Sequence, residues 1–411
     1  MKNKIIKTGS DFSGVGAFDY AIERVCNAKG FEHERIFACD WDKFARTTYA
    51  HNHGEPSYFP KDVYDRDIPE ESVDIYMTSP PCQAFSLAGK RKGKTDKRGI
   101  LFFNSHEFIK VNKPRYFIFE NVKGLLSDDK GRTFQEWVDM LGGKSVNGLP
   151  VLFPHDDALD YHLYWQVLNS KNYGVPQNRE RVFLIGIRDD IDNHFRFPKK
   201  EHLTKRLKDV LEDQVDEKYF LSHKVLKSLV IHKDRHDSKG NGFGFNLKND
   251  ESIASTIRAN NPNCPTDNYV IQINQSKESG GFQPYQYNRV YDSNGISPAL
   301  MASLSDLKIK SNTQKGFEMA KRGDSINYSQ PTSKTRRGRV GKGVAQTLDT
   351  ACNQAVFSNQ IRRLTPRECF RLQDFPETFD FSVVSNSQAY KQAGNSITVV
   401  VLEKIISNLN L

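Results

Sequence analysis

Paired cysteines, long apolar runs and an acidic balance are all missing from these 411 residues. The six cysteines (Cys26, Cys39, Cys82, Cys264, Cys352 and Cys369) are scattered, and none forms a C-x-x-C pair. That spacing argues against a disulfide framework and against a structural zinc site, and it fits reduced thiols. No metal is expected. No apolar run approaches the roughly 20 residues that span a bilayer, so no membrane partner is expected either. The first ten residues are lysine-rich but lack the apolar core of a signal peptide, and a cytoplasmic setting is expected. The length is enough for two domains at roughly 150 residues each.

Basic residues outnumber acidic ones, 59 to 50, and the surplus is local. Residues 301–363 hold 12 Lys and Arg against 4 Asp and Glu, with the densest stretch at Lys334-Thr-Arg336-Arg337-Gly-Arg339-Val-Gly-Lys342. Arginines spaced by glycine suit a phosphate backbone, because the chain can approach closely and each cation displaces a counterion. A solvated loop is the plainer reading of a charge run, but so local an excess favours a nucleic-acid partner.

Along the chain, residues 1–190 alternate strand-like and helix-like segments. Strands are expected at Ile5-Ile6, Arg35–Asp40, Val73–Thr78, Tyr116–Val122, Tyr161–Leu168 and Val182–Arg188. Helices are expected at Phe18–Val25, Asp42–His51, Ile100–Val111 and Thr133–Leu141. This alternation implies an α/β fold with a mostly parallel sheet covered on both faces. From Phe197-Pro198 to about 359 the chain becomes rich in Asn, Ser, Gly and Lys, and reads as a smaller, irregular, β-containing domain. A loose pattern recurs there at Ile253–Ile257, Ile296–Leu300 and Val344–Leu348. Thr365-Pro-Arg-Glu368 reads as a capping box with proline at the first helical position. Ala393–Ser396 reads as a turn before a last apolar helix at Ile397–Leu409. The expected domains are therefore 1–196 with 360–411, and 197–359 as an insertion.

Several segments carry chemistry. Thr78-Ser-Pro80-Pro81-Cys82-Gln83 follows an apolar strand; the prolines stiffen the turn, and strand ends in α/β folds collect ligands. Cys82 is thus a nucleophile candidate, or else a buried strand-end thiol. Ser10-Asp11-Phe12-Ser-Gly14-Val-Gly16 lies between the first strand and helix, where glycines let backbone approach a ligand. Asp40 sits where a ribose wants a carboxylate, Trp41 beside it offers a stacking face, and Asp62 lies in a similar loop. Glu120 ends a buried strand, either as a salt-bridge partner or as a group that holds a proton for a ring nitrogen. Arg179 and Arg181 precede a further strand, at a spacing that puts them on one face.

Taken together, these segments resemble the DNA (cytosine-5)-methyltransferase family, of the bacterial or phage restriction-modification type. The resemblance rests on Phe12–Gly16, Asp40-Trp41, Pro80–Gln83, Glu120-Asn121-Val122, Gln177-x-Arg179-x-Arg181, Arg363–Glu368 and Gly394-Asn395-Ser396, in the family's usual order. It implies a Rossmann-like S-adenosylmethionine-dependent methyltransferase fold with an inserted target-recognition domain. It further implies covalent catalysis by Cys82, with Glu120, Arg179 and Arg181 on the base. Phe12, Gly14, Gly16, Asp40, Trp41, Asp62, Pro80, Asn395 and Ser396 would meet the cofactor.

The substrate implied is double-stranded DNA with a flipped cytosine, contacted by Ser86, Lys90, Arg91, Arg98, Arg336, Arg337 and Arg339. A monomer is expected on asymmetric catalytic grounds, associated with the nucleoid through DNA and functionally paired with a restriction endonuclease. The same catalytic equipment serves phage and orphan enzymes. An RNA cytosine-5 methyltransferase and a catalytically silent DNA-binding regulator are the alternatives; the long middle region speaks against the first and the intact Cys82, Glu120 and Arg181 against the second. Two departures from the family pattern touch the cofactor loop. Ser10 stands where an acidic residue is usual, with Asp11 beside it, and Ala17 stands where glycine is common.

Overall fold

The computed structural model describes residues 4–64, 66–67, 73–80, 100–191, 194–219, 247–248, 252–257, 269–272, 307–310, 317–320, 325–327, 340–341, 354–356 and 360–411. Clustering of contacts divides the chain into two units, 1–213 with 251–267 and 365–411, and 214–250 with 268–364. This differs from the expected boundaries at 197–213 and 251–267, which fall in the first unit, and at 360–364, which falls in the second. The 251–267 segment returns to the first unit, and Ala254-Ser255 pairs in parallel with Gln177-Asn178 there. Of the three recurring segments, only Ile253–Ile257 lies within the described residues.

The first unit is built on an eight-stranded sheet. Its strands are β1 (Ile5–Asp11), β2 (Glu32–Cys39), β3 (Ile75–Thr78), β4 (Tyr116–Val122), β5 (Ser145-Val146), β6 (Leu149-Pro150), β7 (Tyr161–Asn169) and, after the short β8 (Gln177-Asn178), β9 (Glu180–Arg188). Their spatial order is β2-β1-β3-β4-β9-β7-β5-β6. Strands β2, β1, β3 and β4 are mutually parallel, whereas β9 runs antiparallel to both β4 and β7. Strand β7 therefore runs with β4, β5 is parallel to β7 and β6 opposes β5, so six of the eight strands point the same way and the sheet is mostly parallel, as expected. The link at 170–179 between β7 and β9 holds one short 3-10 turn and no crossover helix, so the two strands pair as antiparallel neighbours.

Helix α1 (Ala17–Lys29) connects β1 to β2, α2 (Lys43–His53) follows β2, α3 (Ile100–Asn112) connects β3 to β4, and α4 (Arg132–Leu141) follows β4. The first crossover moves outward from β1 and the other moves from β3 in the opposite direction. Right-handed connections then put α1 and α3 on opposite faces. The carboxyl ends of β1 and β3 flank the point where strand order reverses, the usual ligand crevice of such sheets.

Continuous apolar runs account for the central strands. Tyr116, Phe117, Ile118 and Phe119 are fully buried, as expected for a strand covered on both faces. Phe102 of α3 stacks on Trp137 of α4 with ring centroids 4.5 Å apart, and Phe37, Tyr76, Phe108, Phe117 and Phe119 complete this aromatic core.

The chain ends in α5 (Pro366–Arg371), α6 (Asn386–Asn395) and α7 (Val399–Ser407). Helix α5 begins at the expected capping box, where Thr365 N–H donates to Glu368 Oε2 (2.8 Å) and Glu368 N–H to Thr365 Oγ1 (3.2 Å). The expected turn at 393–396 is not one. Helix α6 runs to Asn395 because Ala389, Gln392 and Ala393 form a buried face and Gln392 bonds Thr48. Tertiary packing overrides the glycine signal there. Helix α7 packs back on α1, as its apolar content predicts.

The second unit is described by its strands. Leu247-Lys248 and Gln360–Arg363 flank Tyr269–Gln272 in one small sheet. Leu307–Lys310 pairs with Phe317–Ala320, and Ser325–Asn327 lies between Val340-Gly341 and Gln354–Val356.

Candidate active site

Three loops leave the carboxyl ends of β1, β2 and β3. The first begins at Phe12, a non-glycine residue at φ 57°, and passes through Gly14 (φ 58°) and Gly16 (φ 85°). Only glycine is relaxed in such a conformation. At Gly16 space is also decisive, since a Cβ would lie 2.1 Å from His53 Nε2. Two residues staple this loop to the end of β2. Ser13 Oγ accepts from Cys39 N–H (3.0 Å), and Gly14 N–H donates to Asp40 Oδ2 (2.8 Å).

Asp40 also accepts from Asp42 N–H at Oδ1 (2.8 Å). Each carboxylate oxygen keeps a lone pair for a further donor. Burial pushes this carboxyl above the usual carboxylate range, and the two backbone donors oppose the shift. Trp41, next to it, is 83% exposed, leaving its indole face open. Asp62 is half-buried and takes Tyr64 N–H on Oδ1 (3.1 Å).

These residues fit an adenosyl group. The loop supplies backbone at close approach, Asp40 an acceptor for ribose hydroxyls, and Trp41 a flat face. Asn395 ends α6 and is exposed, while Ser396 is buried and its carbonyl is taken by Arg179. Pro80 is buried two residues past β3.

A second group of residues lies where β4 ends beside the start of β9; Val122 pairs with Arg181 there. Glu120 is buried, and Arg181 Nε lies 3.0 Å from its Oε1. Burial raises the Glu120 carboxyl above its ordinary range, and the positive charges of Arg181 and Arg179 offset this only in part. Asn121 Nδ2 donates to Pro80 O (2.9 Å), which ties the end of β4 to the residue two positions before Cys82 in sequence.

Arg179 calls for a correction. Its guanidinium, in a residue 2% exposed, donates to the carbonyls of Ile257 (3.1 Å), Gly394 (3.0 Å) and Ser396 (2.6 Å). Burial and the like charge of Arg181 push it down to about 9. It ties three chain segments together and is not presented to a base. Gln177 cooperates, donating to Leu372 O and accepting from Ile257 N–H (3.0 Å).

Cys82, Ser86, Lys90, Arg91, Arg98, Arg336, Arg337 and Arg339 lie outside the described residues. Sequence reading missed Ser13, Asn121 and Gln177 as positioning groups. All three stood inside quoted motifs, so the signal was present but the side-chain partners were not. Among the described residues no group of three or more His, Cys, Asp or Glu converges as for a metal, and no helix is long and apolar enough to cross a membrane.

A doubly wound sheet whose carboxyl edge gathers a glycine-containing loop, Asp40, the exposed Trp41 and a buried acid–arginine pair fits a nucleoside-cofactor-dependent α/β enzyme. Comparison with known proteins narrows that class. A profile described as C-5 cytosine-specific DNA methylase matches residues 6–410. The chain is 31% identical to the orphan methyltransferase M.SPRI of Bacillus phage SPR, over 98% of this chain and 97% of that one. It is 32% identical to the type II methyltransferase M.HpaII of Haemophilus parainfluenzae, over 95% of this chain and 86% of that one. Among solved structures, the S. pombe Dnmt2 methyltransferase shares the fold, with a TM-score of 0.58 at 16% identity and coverage of 98% and 97%. The chain belongs to the C-5 cytosine-specific DNA methylase family. It is a DNA cytosine-5-methyltransferase, and S-adenosylmethionine is its methyl donor.

Proposed function

We propose that this enzyme methylates a flipped cytosine in a specific double-stranded sequence, with Cys82 as nucleophile and Glu120 and Arg181 holding the base. The observation that carries the reading is the buried Glu120–Arg181 pair, joined through Asn121 to Pro80, two residues before Cys82.

Cytosine C5 is too weak a nucleophile to take a methyl group unaided. Addition of the Cys82 thiolate at C6 pushes the ring's electron pair toward C5 and N3, which is covalent catalysis. Glu120 suits the complementary task. Its raised affinity for a proton lets it protonate N3 as charge builds there. Arg181, fixed at 3.0 Å from Glu120, holds the carboxyl's position and has donors left for the base's O2. S-adenosylmethionine, when bound, supplies the methyl group that C5 takes. Loss of the C5 proton to water or a neighbouring base then re-forms the double bond and expels Cys82.

The cofactor would be held by Phe12, Gly14, Gly16, Asp40, Trp41 and Asp62, with Pro80 and Asn395 at the rim and Ser396 fixed behind them. Extruding the base from a duplex costs a few kcal/mol, offset by phosphate contacts from Ser86, Lys90, Arg91 and Arg98 and by Arg336, Arg337 and Arg339. Residues 214–250 with 268–364 would read the target sequence. The enzyme acts as a monomer, and type II relatives support pairing with a restriction endonuclease.

Bisulfite sequencing of plasmid from cells expressing the chain, with tRNA methylation measured in parallel, tests this reading. Methylcytosine in one duplex context is expected, with no signal in tRNA. Cys82→Ala should abolish it while leaving DNA binding measurable. Methylation that persists in that variant contradicts the assignment.

A further inference from the structure

The departure at Asp11 has a structural counterpart. Asp11 is the last residue of β1, paired with Cys39 of β2 and Thr78 of β3, and its side chain is fully buried. Arg66 Nη2 reaches its Oδ2 at 2.9 Å, and the Tyr76 hydroxyl donates to the same oxygen at 2.6 Å. The guanidinium lies over the Phe108 ring at 4.8 Å and near Phe37, so the pair sits among aromatics. Asp11 Oδ1 and Arg66 Nε and Nη1 find no hydrogen-bond partner among the described residues. A buried pair with unmet hydrogen bonds is a poor source of stability.

What the pair does achieve is a connection. Asp11 immediately precedes Phe12, where the first loop begins, and Arg66 closes the loop that carries Asp62. That second loop is fastened at its start by Ala38 N–H to Tyr58 O (3.3 Å), and further on by Arg46 to the carbonyls of Phe59 and Pro60 (both 2.8 Å). Beyond Asp62, Asn104 holds Val63 O (3.3 Å), Arg66 ties the segment to β1, and Asp67 N–H donates to the Tyr58 hydroxyl (2.8 Å). We propose that Asp11 and Arg66 form a buried latch that positions the Phe12–Gly16 and Asp62 loops, setting cofactor affinity without touching the cofactor. The inference rests on reading those loops as the S-adenosylmethionine site. Both members of the latch are positioning residues.

The test separates position from stability. Replacing both partners of a buried pair by apolar residues of similar size is often neutral or stabilising. Asp11→Leu/Arg66→Met should therefore melt near wild type, while calorimetric titration shows S-adenosylmethionine bound about tenfold or more weakly, a factor worth about 1.4 kcal/mol. In turnover, KM for the cofactor should rise with kcat at saturation nearly unchanged. Tyr76→Phe, which leaves the latch closed, should lower Tm and keep wild-type affinity.

A double variant with wild-type affinity overturns the proposal. So does one that melts far below wild type, because the pair would then be a requirement of the fold. An equal affinity loss in Tyr76→Phe also overturns it. Trp41→Ala is the control on the underlying reading: unchanged affinity there would mean that the loops are not the cofactor site, whereas weakened affinity there with an unaffected double variant rejects the latch alone.

Discussion

Two carboxylate–arginine pairs lie at the carboxyl edge of one sheet, and they differ in what they leave open. Glu120 and Arg181, at the β4–β9 end, retain 9% and 16% side-chain exposure. Asp11 and Arg66, at the β1–β3 end, retain 0% and 2%. Their separations are almost equal, 3.0 and 2.9 Å. The contrast teaches that an ion pair in such a sheet acts on substrate only if some of it remains reachable. A sealed pair acts through the backbone it fastens.

The comparison breaks most sharply at Glu120. Glu120→Gln keeps the shape and a hydrogen-bond acceptor for Arg181 but removes the proton donor. Steady-state kinetics should show kcat lowered by about 10²–10⁴, the range for general acid catalysis, with cofactor affinity unchanged. The latch variant should show the opposite pattern.

The pH dependence follows from sign. Glu120 has a raised folded-state proton affinity, so the folded protein holds a proton that the unfolded chain has released. Its contribution to stability is present at low pH and declines as pH rises from the ordinary glutamate range through the folded value. Melting curves from pH 5 to 8 should show Glu120→Gln gaining on wild type as pH rises. A variant that instead loses ground would mean that the ionised carboxylate is stabilised there. Wild-type kcat should fall over the same window.

A smaller effect is expected at Trp41. Its exposed indole contributes little to the fold, so Trp41→Ala should leave Tm unchanged. Cofactor binding should weaken about three- to tenfold, in keeping with about 0.5–1.5 kcal/mol for an aromatic stacking contact.

Much of this was legible in the sequence, and the reasons are local. The apolar run from Tyr116 predicts a strand at Tyr116–Val122, which has the same bounds in the structure, and the box at Thr365 and Glu368 starts a helix where its spacing says it should. The site motifs were legible because they sit at strand ends, where neither periodicity nor capping explains them. What could not be read depends on residues far apart. Asp11 meets Arg66 across 55 positions, Arg179 meets Ser396 across 217, and no local pattern encodes either pairing. Gly394 misled for the same reason. As a helix-breaking signal it suggested a turn, yet its carbonyl is taken by Arg179 and the helix continues to Asn395. The return of 251–267 to the first unit likewise rests on the pairing of Ala254-Ser255 with β8, which composition cannot reveal.

The account depends on a transient bond between the Cys82 sulfur and C6 of the target cytosine. A duplex carrying 5-fluorocytosine at the mapped site has no C5 proton to lose, so with S-adenosylmethionine the reaction should stop with protein attached to DNA. A denaturant-resistant band that appears with wild type and is absent with Cys82→Ala is the predicted result. Complete absence of the adduct from a wild-type enzyme that methylates the unfluorinated duplex would contradict the covalent mechanism.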